Sequence, residues 1–283
     1  MFGSALAFEL DKLVEHEIIT TISSADEARQ LNAAAARHHR VHPIHVEVDT
    51  GMGRVGCWHE QAPALLREIA MLPNLRLTGL YTHFPSADEN PQRTRQALAL
   101  FQKTCPPDAQ LLRHAANTAA LLNLPDSHLD MVRPGLALYG IAPGLMPILT
   151  FKARVAFVKD VAPGRTISYG ETFAAPRPMT VATVAVGYAD GFARHLSNKA
   201  HVLIAGRRCP VIGRVTMDQI MVDVTGLPPV HNGDEAVIIG RQGAEEITAR
   251  DVADWEGTIA WEVLCGITKT ARVPRVYTGL TAA

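Results

Sequence analysis

The chain has 283 residues, 47% of them hydrophobic and 19% charged, and its 27 Lys and Arg against 28 Asp and Glu leave a formal net charge of -1. So even a balance supplies no strong field for nucleic acid or an anionic membrane, and the length allows one large domain or two modest ones. Apolar runs such as TVATVAVGY (180–188) fall short of the about 20 residues a spanning helix needs, and the first residues lack a basic stretch leading into an apolar signal core, so the expectation is a cytoplasmic protein.

In chain order, the β-prone runs EIITTI (17–22), PIHVEV (43–48), LRLTGLYTHF (75–84), AQLLRHA (109–115) and LDMVRPG (129–135) are separated by stretches of helical spacing, such as ADEARQLNAAAARHH (25–39) and PALLREIAML (63–72). Strands that alternate with helices predict a parallel sheet with helices on its faces. Past APGLMP (142–147) the chain becomes rich in Val, Ile and Thr, broken at APG (162–164), HNGD (231–234) and RQGAEE (241–246). That texture predicts a β-rich second domain, with residues 1–145 and 146–283 as the two parts. Cys57, Cys105, Cys209 and Cys265 lie far apart with no CxxC, which fits free thiols in a reducing compartment.

Two motifs are weaker than they look. GMGRVG (51–56) matches GxGxxG after a predicted strand, but AMLPNLRLTG (70–79) lacks the acidic residue that a dinucleotide site places about 20 positions later. The cluster His38, His39, His42 and His45 suggests a metal, yet Pro43 breaks the face that would align His38 with His42, and no carboxylate or cysteine pattern accompanies it. It reads as a solvated helix end entering a strand, and no metal site is expected.

Other stretches carry more chemistry. EVDTGMGRVG (47–56) sets a carboxylate, a hydroxyl and Arg54 at a strand end, LYTHFPSADE (80–89) sets His83 at another, and HAANTAALL (114–122) opens a helix with Asn117 and Thr118. In a parallel α/β barrel these strand ends and helix starts share one face, where backbone N–H groups suit a phosphate. In the second half RTISYGETF (165–173), VAVGYADGF (184–192) and GRVTMDQIMVDV (213–224) each place a polar residue in a turn. Taken alone, Tyr169 and Tyr188 read better as packed aromatics with satisfied hydroxyls than as catalytic groups.

Together, VDTGMGRVG, LYTHFPSADE, HAANTAALL, DMVRPGLALYG (130–140), TISYGETF, VGYADGF, GRVTMDQIMVDVT, TIAWEVLCGI (258–267) and RVPRVY (272–277) resemble the alanine racemase family. The resemblance implies an incomplete TIM-type α/β barrel that binds pyridoxal 5'-phosphate (PLP), followed by a C-terminal β domain that completes the active site of the partner in a homodimer. The implied activity is interconversion of L- and D-alanine by two-base proton transfer on the amino acid's external aldimine, supplying D-alanine for peptidoglycan. By the same resemblance Arg133 faces the pyridine nitrogen, His114 supports Arg133, and His83 lies between Arg133 and the incoming Tyr169, the base for L-alanine. Asn117, Thr118, Gly135 and Leu136 fall on the phosphate side. Arg54 reaches the cofactor's phenolic oxygen and the substrate carboxylate, while Tyr188, Met217 and Asp218 shape the substrate end.

The sequence departs from the family at three places. No stretch matches the lysine motif that forms the Schiff base: Lys12, Lys103, Lys152, Lys159, Lys199 and Lys269 stand in other contexts. The expectation is therefore a chain without that N-terminal segment, carrying five of the barrel strands and unable to run the two-base mechanism as written, with a non-catalytic PLP-binding or dimerising remnant as the alternative. A third reading, a cofactor-homeostasis barrel, is disfavoured by the β domain with Tyr169 and Met217. Glu47 stands where many members carry a carbamylated lysine and is expected to orient Arg54, and Trp261 replaces a phosphate-side tyrosine.

Overall fold

A computed structural model of the chain describes residues 1–105, 110–268 and 272–278; Ala109 of the fourth predicted strand and Lys269 lie outside them. The chain divides into two compact units, Met1–Leu138 and Tyr139–Ala283, a division seven residues before the expected 145/146 boundary.

Unit 1 runs α1 (Leu10–Glu15), β1 (Thr20–Ile22), α2 (Ala25–Arg37), β2 (His42–Asp49), β3 (Cys57–Trp58), α3 (Ala62–Ala70), β4 (Leu75–Tyr81), α4 (Pro91–Thr104), β5 (Leu112–His114) and α5 (Thr118–Asn123). The helices start where the sequence supplies caps. Ser24 accepts from the Glu27 amide ahead of α2, and Asn90 accepts from the Arg93 amide ahead of α4, whose first residue is Pro91. Ala28, Leu31, Ala34 and Ala35 recur at helical spacing and bury against Ile22, Ile44, Val46, Val48 and Phe101.

The sheet is parallel in the order β1-β2-β4-β5, with β3 beside β2. Ile44, Val46 and Val48 of β2 point to the helices, so period-two alternation sends His45, Glu47 and Asp49 to the opposite face. Register then lines up polar side chains across strands: Thr21 opposite His45, Glu47 opposite Tyr81, and Tyr81 opposite His114. The fifth predicted strand, LDMVRPG, is reduced to one parallel bridge between His114 and Met131. Leu129 sits at a left-handed φ of 48° and Pro134 has no N–H to donate, so a longer ladder cannot form there.

Unit 2 holds β6 (Phe151–Val161), β7 (Thr166–Ile167), β8 (Phe173–Ala174), β9 (Met179–Val184), β10 (His201–Ile204), β11 (Arg207–Pro210), β12 (Ile220–Asp223), β13 (Glu235–Gln242), β14 (Glu245–Ile247), α6 (Ala249–Glu256) and α7 (Ala260–Thr268). Its main sheet is antiparallel in the order β11-β10-β13-β6-β9-β12, with β14 on β13, and β7 pairs with β8. A bridge between Val211 and Val222 joins the two ends of that order, so the sheet curls on itself around Val202, Leu203, Val222 and Val237.

Cys57, Cys105 and Cys209 are free thiols, and no disulfide joins any of the four cysteines among the described residues. Among the described residues no helix is long and apolar enough to cross a membrane, and no group of three or more His, Cys, Asp and Glu side chains is placed to hold a metal ion.

Candidate active site

The polar face of the parallel sheet carries two hydrogen-bonded groups that meet where the His114 and Tyr81 rings stack. The single bridge at Met131 brings Arg133 beside β5, where its amide donates to the Ala116 carbonyl at 2.8 Å. Its Nη2 donates to the carbonyls of Thr82 at 2.7 Å and Ala115 at 3.0 Å, and its Nη1 lies 2.6 Å from His114 Nδ1. His114 Nε2 lies 2.9 Å from His45 Nδ1. The His114 ring stacks on Tyr81 at 4.7 Å, and the Arg133 guanidinium lies 5.3 Å from the Tyr81 ring and 4.9 Å from that of Phe2. Tyr81 donates to Glu47 Oε2 at 2.7 Å, with Thr21 Oγ1 2.9 Å from the same phenol.

Two buried polar atoms, Arg133 Nε and His83 Nδ1, have no hydrogen-bond partner among the described residues. A cavity of about 230 Å³ opens beside Arg133, bounded by Thr21, His45, Tyr81, His114 and Phe2 among others. Burial, reinforced by the Arg133 charge, lowers His83 to about 4 and His114 to about 3, so both rings are neutral at pH 7. Burial also draws Arg133 down to about 10, which still leaves it a cation. Burial raises the Glu47 carboxyl, against the hydrogen bond from Tyr81 that lowers it.

Beside this face, Thr118 Oγ1 accepts from the amides of Gly135 at 2.9 Å and Ala137 at 3.4 Å, so hydroxyl and backbone donors gather at one exposed turn. Asn117 caps α5 through the Ala120 amide, and Leu136 is buried behind the turn. The GMGRVG loop opens no helix. Asp49 fills its concavity by accepting from the amides of Gly51, Met52 and Gly53 at 2.7–2.8 Å, which leaves no room there for a phosphate.

Glu47 does not hold Arg54 as expected: among the described residues the carboxyl accepts from the Tyr81 phenol, and exposed Arg54 acts on Glu47 and His83 only through space. The histidine cluster is likewise not one solvated helix end. His38 pairs with Asp11 at 3.0 Å, but His42 is buried against Thr20 and His45 belongs to the polar face. Sequence reasoning missed Thr21, His45 and Tyr81. The signal was the alternation in HPIHVEVD, which puts every second residue opposite the helix-facing apolar ones.

Unit 2 presents a different set. Tyr169 is 72% exposed, Met217 54%, Trp261 47% and Tyr188 45%. The loops carrying them are nonetheless fixed. Ser168 Oγ donates to the Arg214 carbonyl at 2.6 Å, and the Tyr188 and Ala189 amides donate to the carbonyls of Thr216 and Met217 at 3.1 and 2.8 Å. A Cβ on Gly187 would lie 2.3 Å from the Thr216 carbonyl oxygen and 2.5 Å from the Asp218 amide, so only glycine lets these turns touch. Tyr169, Tyr188, Met217 and exposed Asp218 thus lie on interlocked turns, while Trp261 lies on α7.

The family model described as "Alanine racemase, N-terminal domain" matches residues 1–143, and "Alanine racemase, C-terminal domain" matches 148–277. An alanine racemase of Halothermothrix orenii is 41% identical over 291 residues, covering 98% of this chain and 76% of that protein. One of Symbiobacterium thermophilum is 48% identical over 266 residues, covering 89% and 70%. Among solved structures, a biosynthetic alanine racemase from Pseudomonas aeruginosa superposes with a TM-score of 0.87 at 33% identity, covering 98% of this chain and 77% of that one. An alanine racemase from Streptomyces lavendulae gives 0.85 at 36% identity, covering 95% and 75%.

Proposed function

The chain belongs to the alanine racemase family, and on that premise we propose that it interconverts L- and D-alanine with PLP held on the polar face of the parallel sheet. The observation that carries this reading is Arg133: a cation seated by two carbonyls and a neutral imidazole, with Nε left over beside a cavity and a flat ring already resting against it. His83 Nδ1 is a second buried polar atom without a partner among the described residues.

The residues present fit the cofactor. Arg133 would hold its ring nitrogen, Thr118 with the Gly135 and Leu136 backbone would hold its phosphate, with Asn117 fixing the start of that helix, and Arg54 would reach the phenolic oxygen and the substrate carboxylate. PLP, when bound, supplies electron withdrawal from the α-carbon of an amino acid joined to it. Arg133 can only donate, so a ring nitrogen facing it stays unprotonated, which restrains that withdrawal and disfavours side reactions such as transamination. His114 accepts from Arg133 and keeps the guanidinium plane fixed.

Tyr169 removes the α-proton of L-alanine in this reading, and Tyr188, Met217 and Asp218 bound the methyl and carboxylate. Their exposure on unit 2 supports a homodimer in which these turns complete the partner's site, with Trp261 at its phosphate side. Among the described residues no lysine lines the cavity at Arg133, so we assign the cofactor's amine anchor, and with it the base for D-alanine, to none of Lys12, Lys103, Lys152, Lys159 and Lys199. A cytoplasmic role supplying D-alanine for peptidoglycan follows the same reading.

The test is α-proton exchange in deuterated water, with PLP and either alanine enantiomer, read by NMR. The reading predicts exchange of L-alanine that Tyr169→Phe abolishes; undiminished exchange in that variant would overturn the assignment.

A further inference from the structure

We propose that His45 is a positioning residue that fixes which ring nitrogen of His114 carries its proton and, through His114, seats the guanidinium of Arg133; its consequence for the cofactor rests on the reading above. The argument is one of donors and acceptors. A guanidinium N–H can only donate, so at 2.6 Å from Arg133 Nη1 the Nδ1 of His114 must be an acceptor. Neutral His114 then carries its proton on Nε2, and at 2.9 Å that proton needs an acceptor in His45 Nδ1. His45 in turn carries its own proton on Nε2. One proton arrangement satisfies all three side chains, and His45 supplies its terminal acceptor.

The fold builds a slot for this ring. Pairing of β2 with β4 runs from Ile44 opposite Leu77 to His45 opposite Gly79, so Thr78 is an extra residue, its hydroxyl on the Ile44 carbonyl at 3.0 Å. A bulge re-aims the residues next to it. At Gly79 a Cβ would lie 2.6 Å from His45 Nε2 and 2.7 Å from the Leu112 carbonyl oxygen, so any other residue would evict the imidazole. Bulge and glycine together place His45 Nδ1 within reach of β5.

Protonating His45 would turn its Nδ1 into a donor facing the Nε2–H of His114. The clash is relieved only if His114 moves its proton to Nδ1, where Arg133 already donates. The charged or titratable groups that face His45 are the Met1 ammonium from the side of β1, His114 and Arg133 from β5 and its neighbour, and Glu17, Arg40, His42 and Arg76 around the cleft beyond Gly79. Burial, with the Met1 ammonium, already holds His45 below the ordinary histidine range, so the acceptor form is kept at neutral pH.

Long-range proton–nitrogen NMR on the full chain without PLP reads the His114 tautomer directly, and a PLP titration then reads affinity. In the parent chain His114 should be the Nε2–H form. His45→Asn places a carbonyl near the lost Nδ1 and cannot titrate; it should keep that tautomer and extend it to more acid pH. His45→Phe fills the slot without an acceptor; it should mix the tautomers and weaken PLP binding about tenfold, the equivalent of one buried hydrogen-bond partner. A parent His114 protonated on Nδ1, or tautomer and affinity unchanged in His45→Phe, overturns the proposal; so does an unchanged acid profile in His45→Asn, should the Phe variant not fold. Absence of PLP binding to the parent chain with the tautomers as stated would refute the cofactor reading alone.

Discussion

The two units handle sheet edges and polar groups in opposite ways. In unit 2 the antiparallel order closes through Val211 and Val222, its interior is apolar, and the residues proposed to act on substrate ride on exposed turns. In unit 1 the parallel order stays open among the described residues: no strand pairs with β1 on its outer side, Ile18 and Ile19 are exposed, and the far side is held by one bridge at Met131. Its chemistry is built into the strands, with Thr21, His45, Glu47, Tyr81 and His114 sharing one face. The lesson is that a residue on a turn can be changed with little cost to folding, whereas one on that sheet face supports both the fold and the site.

The largest effect expected from breaking this contrast is on chemistry alone. Tyr169→Phe should slow α-proton exchange from L-alanine by about 10³-fold, in the range for loss of a general base. Because Tyr169 is 72% exposed, the melting of unit 2 should be unchanged. Next, Phe101→Ala, at 0% exposure in the helix-to-sheet core of unit 1, should cost about 3–5 kcal/mol by denaturant titration. Hydrogen exchange should locate that loss in residues 1–138 and leave unit 2 protected. Tyr81→Phe should cost about 1–3 kcal/mol, because it leaves the buried Glu47 carboxylate without its donor. A loss as small as that of an exposed substitution would mean that the Glu47 pair does not support the face.

Acid separates the units in a subtler way. His83 and His114 have folded pKa values below the ordinary 6.5, at about 4 and about 3. The unfolded chain therefore binds more protons between those values and 6.5, so their contribution is complete above pH 6.5 and is lost as pH falls toward 4 and then 3. His42 and His45 are lowered as well, and act in the same direction. Glu47, raised by burial, works the other way, losing stability as pH rises past the ordinary carboxyl range. In unit 2, burial lowers His201. Hydrogen exchange at pH 7, 5 and 4 should show unit 1 opening first; simultaneous opening would contradict the electrostatic contrast.

The same contrast decides what could be read in the sequence. Alternating β-prone and helical runs located the parallel sheet, and the Val, Ile and Thr texture located the antiparallel one, because periodicity follows burial. Turn residues such as Tyr169 and Tyr188 were legible only through the family resemblance of TISYGETF and VGYADGF, whereas Arg133 stood out by itself as a charge in an apolar run. His45 and Tyr81 did not, since a polar residue at every second strand position looks the same whether that face meets water or a relay. Nor could spacing reveal that Glu47 pairs with Tyr81 rather than Arg54: the partner comes from strand register between β2 and β4, more than 30 residues apart in the chain.

The central claim, that the polar face around Arg133 is the PLP site, is tested most directly by titrating the isotopically labelled chain with PLP while following the Arg133 Nε and His114 ring nitrogens. The account predicts saturable shifts at those atoms that Arg133→Ala abolishes. Shifts confined to unit 2, or binding that survives Arg133→Ala undiminished, would contradict it.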